Sequence, residues 1–252
     1  MMEISEAAWD RYVRRLRAAS DKAGSLMLEY LNSHDVFTAE GRRAAIEYAY
    51  ALALKYGEAT SALAAEMYDA MAQVSGMSLP PAEPAATATY GETAKVVNGT
   101  LRETLPPERC SQAIGRLVKQ AGADTMLKNA LRDGAQFAWI PKGDTCPFCL
   151  MLASRGWQRA SWQAIKNGHA EHIHANCDCQ YAVRFNDRTN VRGYDPDKLY
   201  RAYRDAPGST WEEKINAQRR AQYAENGAKI REQKRINYAE RLVAKETNGQ
   251  PG

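Results

Sequence analysis

Two tight cysteine groups within one short stretch constrain this chain more than any other feature. Cys146 and Cys149 form a C-x-x-C in Thr145-Cys146-Pro147-Phe148-Cys149, and a second group follows as His174-Ala175-Asn176-Cys177-Asp178-Cys179. A C-x-x-C knuckle turns both thiolates toward one ion while backbone amides hydrogen-bond the sulfurs. A second pair, arriving from a separate segment, completes a tetrahedron. The gap between the groups is wide, but the cost of closing a loop grows only slowly with its length. The expectation is one structural zinc ion held by Cys146, Cys149, His174 and one of Cys177 and Cys179. On a strand, Cys177 and Cys179 point to the same face, so spacing does not choose between them. Cys179 can also stand in for His174, and His169 and His172 are nearby spares.

Other chemistry is weaker. A redox dithiol at Cys146 and Cys149 needs a thioredoxin-type βαβ setting, which the surrounding pattern lacks. His169-Ala170-Glu171 is similar to the H-x-E of zinc deaminases, which also carry P-C-x-x-C. Here the C-x-x-C comes first, and the proline lies between the cysteines. Four or five protein donors imply no open position for water, so a structural and not a catalytic ion is expected. No Walker loop, dinucleotide fingerprint or G-x-S-x-G is present.

Close cysteine pairs suggest metal more than disulfide in a reducing compartment, and the lone fifth cysteine, Cys110, reads as a small buried hydrophobe. The net charge of +4 allows contact with nucleic acid without requiring it. No apolar run reaches the roughly 20 residues that span a bilayer. The first residues lack the basic-then-apolar pattern of a signal peptide. A soluble chain made in a cytoplasm is expected.

The 252 residues, 44% of them hydrophobic, read as mainly α. Residues 1–78 form a helical hairpin. Its first helix, from Ile4 to Leu31, has the apolar stripe Trp9, Val13, Leu16, Ala23, Met27 and Tyr30, with Arg11, Arg14, Arg15 and Arg17 on the wet face. The second, capped by Thr38 and running to about Gly76, is rich in alanine, and Gly57 marks a possible kink. Residues 79–89, with Pro80, Pro81 and Pro84, form an extended linker. Residues 90–206 form a small zinc-stabilised α+β module. Its helices run from Tyr90 to Leu105, from Pro107 to Ala121, and from an Asp124 cap to Gly134; its strands lie at 136–140 and 180–185. Trp139, Trp157 and Trp162 are expected to wrap the metal. Asp195 caps a helix from Pro196 to Asp205. Residues 207–252 form a charged helix that starts at a capping box of Ser209 and Glu212 and ends near Lys245.

The segments around the cysteines resemble the phage minor head protein family typified by the F protein of phage Mu. The resemblance rests on Gly143-Asp144-Thr145-Cys146-Pro147-Phe148-Cys149, Met151-Leu152-Ala153-Ser154-Arg155-Gly156, His174-Ala175-Asn176-Cys177-Asp178-Cys179 and Gly193-Tyr194-Asp195-Pro196. It covers roughly residues 125–206 and is closest to versions from phages of actinobacteria and other Gram-positive hosts. It implies a structural minor capsid component in few copies near the portal, acting in head assembly or genome delivery. The portal, the major capsid protein or both would be partners, with non-specific contact to packaged DNA, no membrane, and a final location in the virion. Two rival readings are a zinc-containing nucleic-acid-binding protein and a zinc-dependent hydrolase or deaminase.

Overall fold

The structure is a computed structural model that describes residues 2–142, 146–163 and 179–247. The elements in chain order are β1 (Met2–Ile4), α1 (Glu6–Ser33), α2 (Ala39–Val74), α3 (Tyr90–Thr100), α4 (Glu108–Arg132), β2 (Gln136–Ile140), α5 (Pro147–Ala153), β3 (Gln158–Arg159), β4 (Gln180–Arg184), β5 (Thr189–Val191), α6 (Pro196–Arg204) and α7 (Trp211–Thr247). The protein is mainly helical with small sheets, as expected.

The stripe on α1 behaves as its spacing predicts: Trp9, Val13, Leu16, Ala23 and Met27 are buried, while Arg11, Arg14, Arg15 and Arg17 are exposed. Thr38 caps α2, accepting the amide of Gly41 through its hydroxyl. The turn before α2 fits tightly. A Cβ on Gly41 would lie 1.8 Å from the Asp35 carbonyl oxygen, a distance that backbone movement alone can relieve. At an unstrained helical site Gly→Ala gains about 1 kcal/mol. Here the sign inverts: Gly41→Ala should lower the urea midpoint by the equivalent of about 1–3 kcal/mol, as overpacking does. An unchanged or higher midpoint would refute the tight turn.

The expected break between Ala121 and Asp124 is absent. One helix, α4, runs from Glu108 to Arg132 and begins just after Pro107. Asp124, read as a cap, lies mid-helix and accepts from the Gln120 amide at 2.7 Å. Burial raises its carboxyl pKa. Asp is a weak helix former because it competes for local backbone donors, but tertiary packing overrides that preference. Here α4 is buried on several sides at once, with Cys110, Ile114, Val118, Met126, Leu127 and Ala130 all enclosed. It packs against both α1 and α2. Side chains stitch the crossings: Ser111 donates to the Gly24 carbonyl at 2.8 Å, and Thr60 to the Val118 carbonyl at 2.7 Å. The pair α1–α2 is therefore two-thirds of a three-helix body. Helix α3 also stops earlier than expected, at Thr100, with Leu101 as its C-cap.

The proline-rich segment 79–89 is extended, as three prolines require, but it is no loose spacer. It is strapped to α2 and α4. Ala82, Glu83 and Ala85 donate their amides to the side chains of Asp69, Asn129 and Thr125. Asn129 returns its amide to the Glu83 carbonyl, and Ser61 donates to the Ala85 carbonyl. Gly57 does not interrupt α2, which is one continuous helix. It seats the strap instead, since a Cβ there would approach Thr87 Cγ2 to 2.8 Å.

At the end of α4, the Tyr68 hydroxyl donates to Asp133 Oδ2 at 2.8 Å, and Arg132 pairs with the same carboxylate. The Arg132 guanidinium, with help from Tyr68, holds the Asp133 carboxyl below its ordinary pKa. A carboxyl depressed in the folded state adds stability that is present above its unfolded pKa, about 3.9. That stability is lost as pH falls through the lower folded value. Asp133→Asn should therefore narrow the Tm difference between pH 7 and pH 3. An equal difference in mutant and wild type would contradict this.

One pairing had no sequence forecast, and one forecast is off by a residue. Met2–Ile4 pairs in parallel with Thr189–Val191, Ile4 opposite Val191. The capping box of the final helix lies one residue later than read: Thr210 accepts the Glu213 amide, and Glu213 accepts the amides of Ser209 and Thr210. Helix α7 then runs to Thr247, and its Ile215 is buried.

Candidate metal centre

The centre is built on a three-stranded sheet of order β3–β2–β4. Strands β2 and β4 are antiparallel, with Trp139 opposite Tyr181 and Ile140 opposite Gln180. Cys179 immediately precedes Gln180, so it lies at the sheet end where β2 finishes. The chain leaves β2 there and reaches Cys146 six residues later.

Cys146 is the N-cap of α5, and Pro147 occupies the first helical turn, where a missing amide proton costs nothing. The Cys149 amide donates to Cys146 Sγ at 3.5 Å. This is the contact by which Cys146 caps the helix. Helix α5 is held from behind: the Tyr194 hydroxyl donates to the Ala153 carbonyl at 2.6 Å, and Pro196 lies against Gly156, whose φ is +68°. Two segments singled out in the sequence, Met151–Gly156 and Gly193–Pro196, thus meet in space.

Cys149 and Cys179 are buried in the same core, and half-buried Cys146 packs against it. Burial raises the Tyr181 phenol pKa, and the nearby Asp124 and Cys149 raise it further. Cys110 is remote from this centre and fully buried in the other hydrophobic cluster, as expected. Trp139 is buried, and Trp157 packs at the edge of the same core, its ring under the Arg184 guanidinium at 4.9 Å. Trp162 departs from expectation: it is 77% exposed, and so it is no part of a hydrophobic shell.

His174 and Cys177 lie outside the described residues, as do His169 and His172. Among the described residues, no group of three or more His, Cys, Asp or Glu side chains is gathered closely enough to hold a metal. The fold pairs Cys146 with Cys149 through the amide-to-sulfur contact and places Cys179 just before β4, buried in the same core as Cys149. The donors suit zinc in kind: thiol sulfurs on a knuckle with an amide pointed at sulfur. Buried donors with no acceptor also lie in this core: among the described residues these are Nε1 of Trp9 and Trp139 and the hydroxyl of Tyr181. Sequence reading placed Tyr181 on its strand but gave it no role. The residue paired with Tyr181 across the sheet, Trp139, was the available signal.

No helix among the described residues is long and apolar enough to cross a membrane. No curated protein and no solved structure matches the chain. One family model does, described as VG15 protein, and it matches residues 3–206. The match starts at β1 and ends just past α6, so it takes in the helical body, the strap, the sheet and the knuckle as one unit. The chain belongs to the VG15 protein family, a family of viral proteins.

Proposed function

We propose that this chain is a minor structural component of a phage head, located near the portal and acting in head assembly or in genome packaging and delivery. The observation that carries the reading is the viral family match across residues 3–206. The resemblance of the cysteine region to phage minor head proteins narrows it. In this reading Cys146, Cys149, His174 and one of Cys177 and Cys179 hold a structural zinc ion. The ion ties the knuckle to the start of β4, and its binding energy adds to the stability of the fold. A full set of protein ligands leaves the ion no catalytic position. The partners are the portal, the major capsid protein or both. The exposed arginines of α1 and the basic residues of α7 are the surfaces that would meet packaged DNA.

Quantitative mass spectrometry of purified particles tests the proposal. The chain should be present in DNA-filled heads at a small fraction of the major capsid protein. Its absence from both heads and DNA-free proheads would remove the structural role.

A further inference from the structure

The strap repeats its burial every three residues. Leu79, Ala82 and Ala85 are half-buried, while Pro80, Pro81, Glu83, Pro84 and Ala86 are exposed. Three residues per turn is the period of polyproline II, the conformation that the fixed φ of proline favours. The same period sorts the strap's bonds. Ala82 and Ala85, one turn apart, donate their amides to Asp69 and Thr125 at 2.9 and 3.0 Å. Pro81 and Pro84, also one turn apart, share a different face and stay in solvent.

Holding the segment down does not require that second face. One proline is enough to stop a helix, and the anchoring bonds run from side chains of α2 and α4 to the strap's backbone. Alanine at positions 81 and 84 would keep them, including the Pro81 carbonyl that accepts from Arg132 at 3.2 Å. What the prolines add is a stiff ridge of two rings, turned outward from an anchored foot.

Proline rings in this conformation are recognised by grooves lined with aromatic side chains. A ridge that is already ordered loses little conformational entropy when it is bound, which is the general advantage of preorganisation. We propose that Pro81 and Pro84 form a docking ridge for another protein of the particle, one that receives the two rings in a groove walled by Trp or Tyr. This rests on the phage-head reading above.

The test is made in particles assembled with the full chain. Two forms are compared with wild type. One carries Pro81→Ala and Pro84→Ala together. The other carries Pro84→p-benzoylphenylalanine, which on illumination cross-links to whatever lies against position 84. The double variant should enter particles about tenfold less than wild type, as loss of central interface contacts does, while the free protein remains folded. The cross-link should fall on a Trp- or Tyr-bearing peptide of another particle protein. If wild type itself is absent from particles, the head reading fails and this inference fails with it. If wild type is present and the double variant matches it within about twofold, the head reading stands and only the ridge is overturned. A cross-link to DNA, to a second copy of this chain, or to nothing also overturns the ridge alone. Should the double variant not fold, the cross-link decides by itself.

Discussion

Cys149→Ser is expected to abolish tight zinc binding and to remove the stabilisation that zinc gives the wild type. A ligand that binds only the folded state stabilises it by about 4 kcal/mol when its free concentration is a thousand times Kd. For a chain of this size that corresponds to roughly 10 °C in Tm. The effect should be large because Cys149 does three jobs. In the proposed site it supplies a sulfur to zinc, while its amide donates to the Cys146 sulfur and its side chain is buried in the core around the sheet. Serine keeps the amide but offers zinc a poor ligand. The measurement is thermal unfolding with zinc and with excess chelator, for both proteins. Wild type should lose its advantage in chelator, and the variant should respond to neither condition. A wild-type Tm indifferent to zinc and chelator would sink the structural metal.

Ile114→Ala should cost about 2–5 kcal/mol, the range for deleting a large buried aliphatic side chain. Ile114 is wholly buried, in the cluster that joins α1, α2, α3 and α4. Its neighbours belong to several helices that cross at fixed places, stitched by Ser111 to Gly24 and Thr60 to Val118. They cannot close over a lost side chain by sliding one helix. Urea unfolding should show a lower midpoint with an unchanged slope, the sign of altered stability and not of an altered denatured state. A cost under about 1 kcal/mol would mean that α4 is less tightly enclosed than its burial shows.

Much of this architecture was legible, and the misses share a cause. Periodicity found α1, because Trp9 to Met27 repeat at helical spacing with arginines between. Local cap chemistry found the starts of α2 and α6, because Thr38 and Asp195 each bond an amide three residues on. The alternation at 180–185 found β4. The failures needed information from far along the chain. Asp124 reads as a cap until the packing around α4 is known. The strap is plainly non-helical, yet nothing in its prolines says that Asn129 and Thr125 will hold it. The pairing of β1 with β5 joins two runs of three residues, too short for any period. Spacing singled out Cys146 and Cys149, and in the fold Cys146 caps α5 with the Cys149 amide on its sulfur, while no metal-binding group is gathered among the described residues. Spacing did not separate Cys177 from Cys179, because alternate residues on a strand share a face. It also gave Trp162 a place beside the metal on sequence proximity alone, where the chain turns it to solvent.

The parallel pairing of Met2–Ile4 with Thr189–Val191 sets an order of events during synthesis. Helices α1, α2 and α4 bring their contacts to one another early, and the three-helix body can assemble while later residues are still being made. The first strand cannot find its partner until residue 191 has left the ribosome. Until then Ile4, buried in the finished protein, has α2 to pack against but lacks Val191. Closing so long a loop is slow relative to local helix packing. The waiting strand edge is sticky for as long as it waits. The chain thus keeps one short adhesive edge open until nearly all of the family-matched residues 3–206 exist.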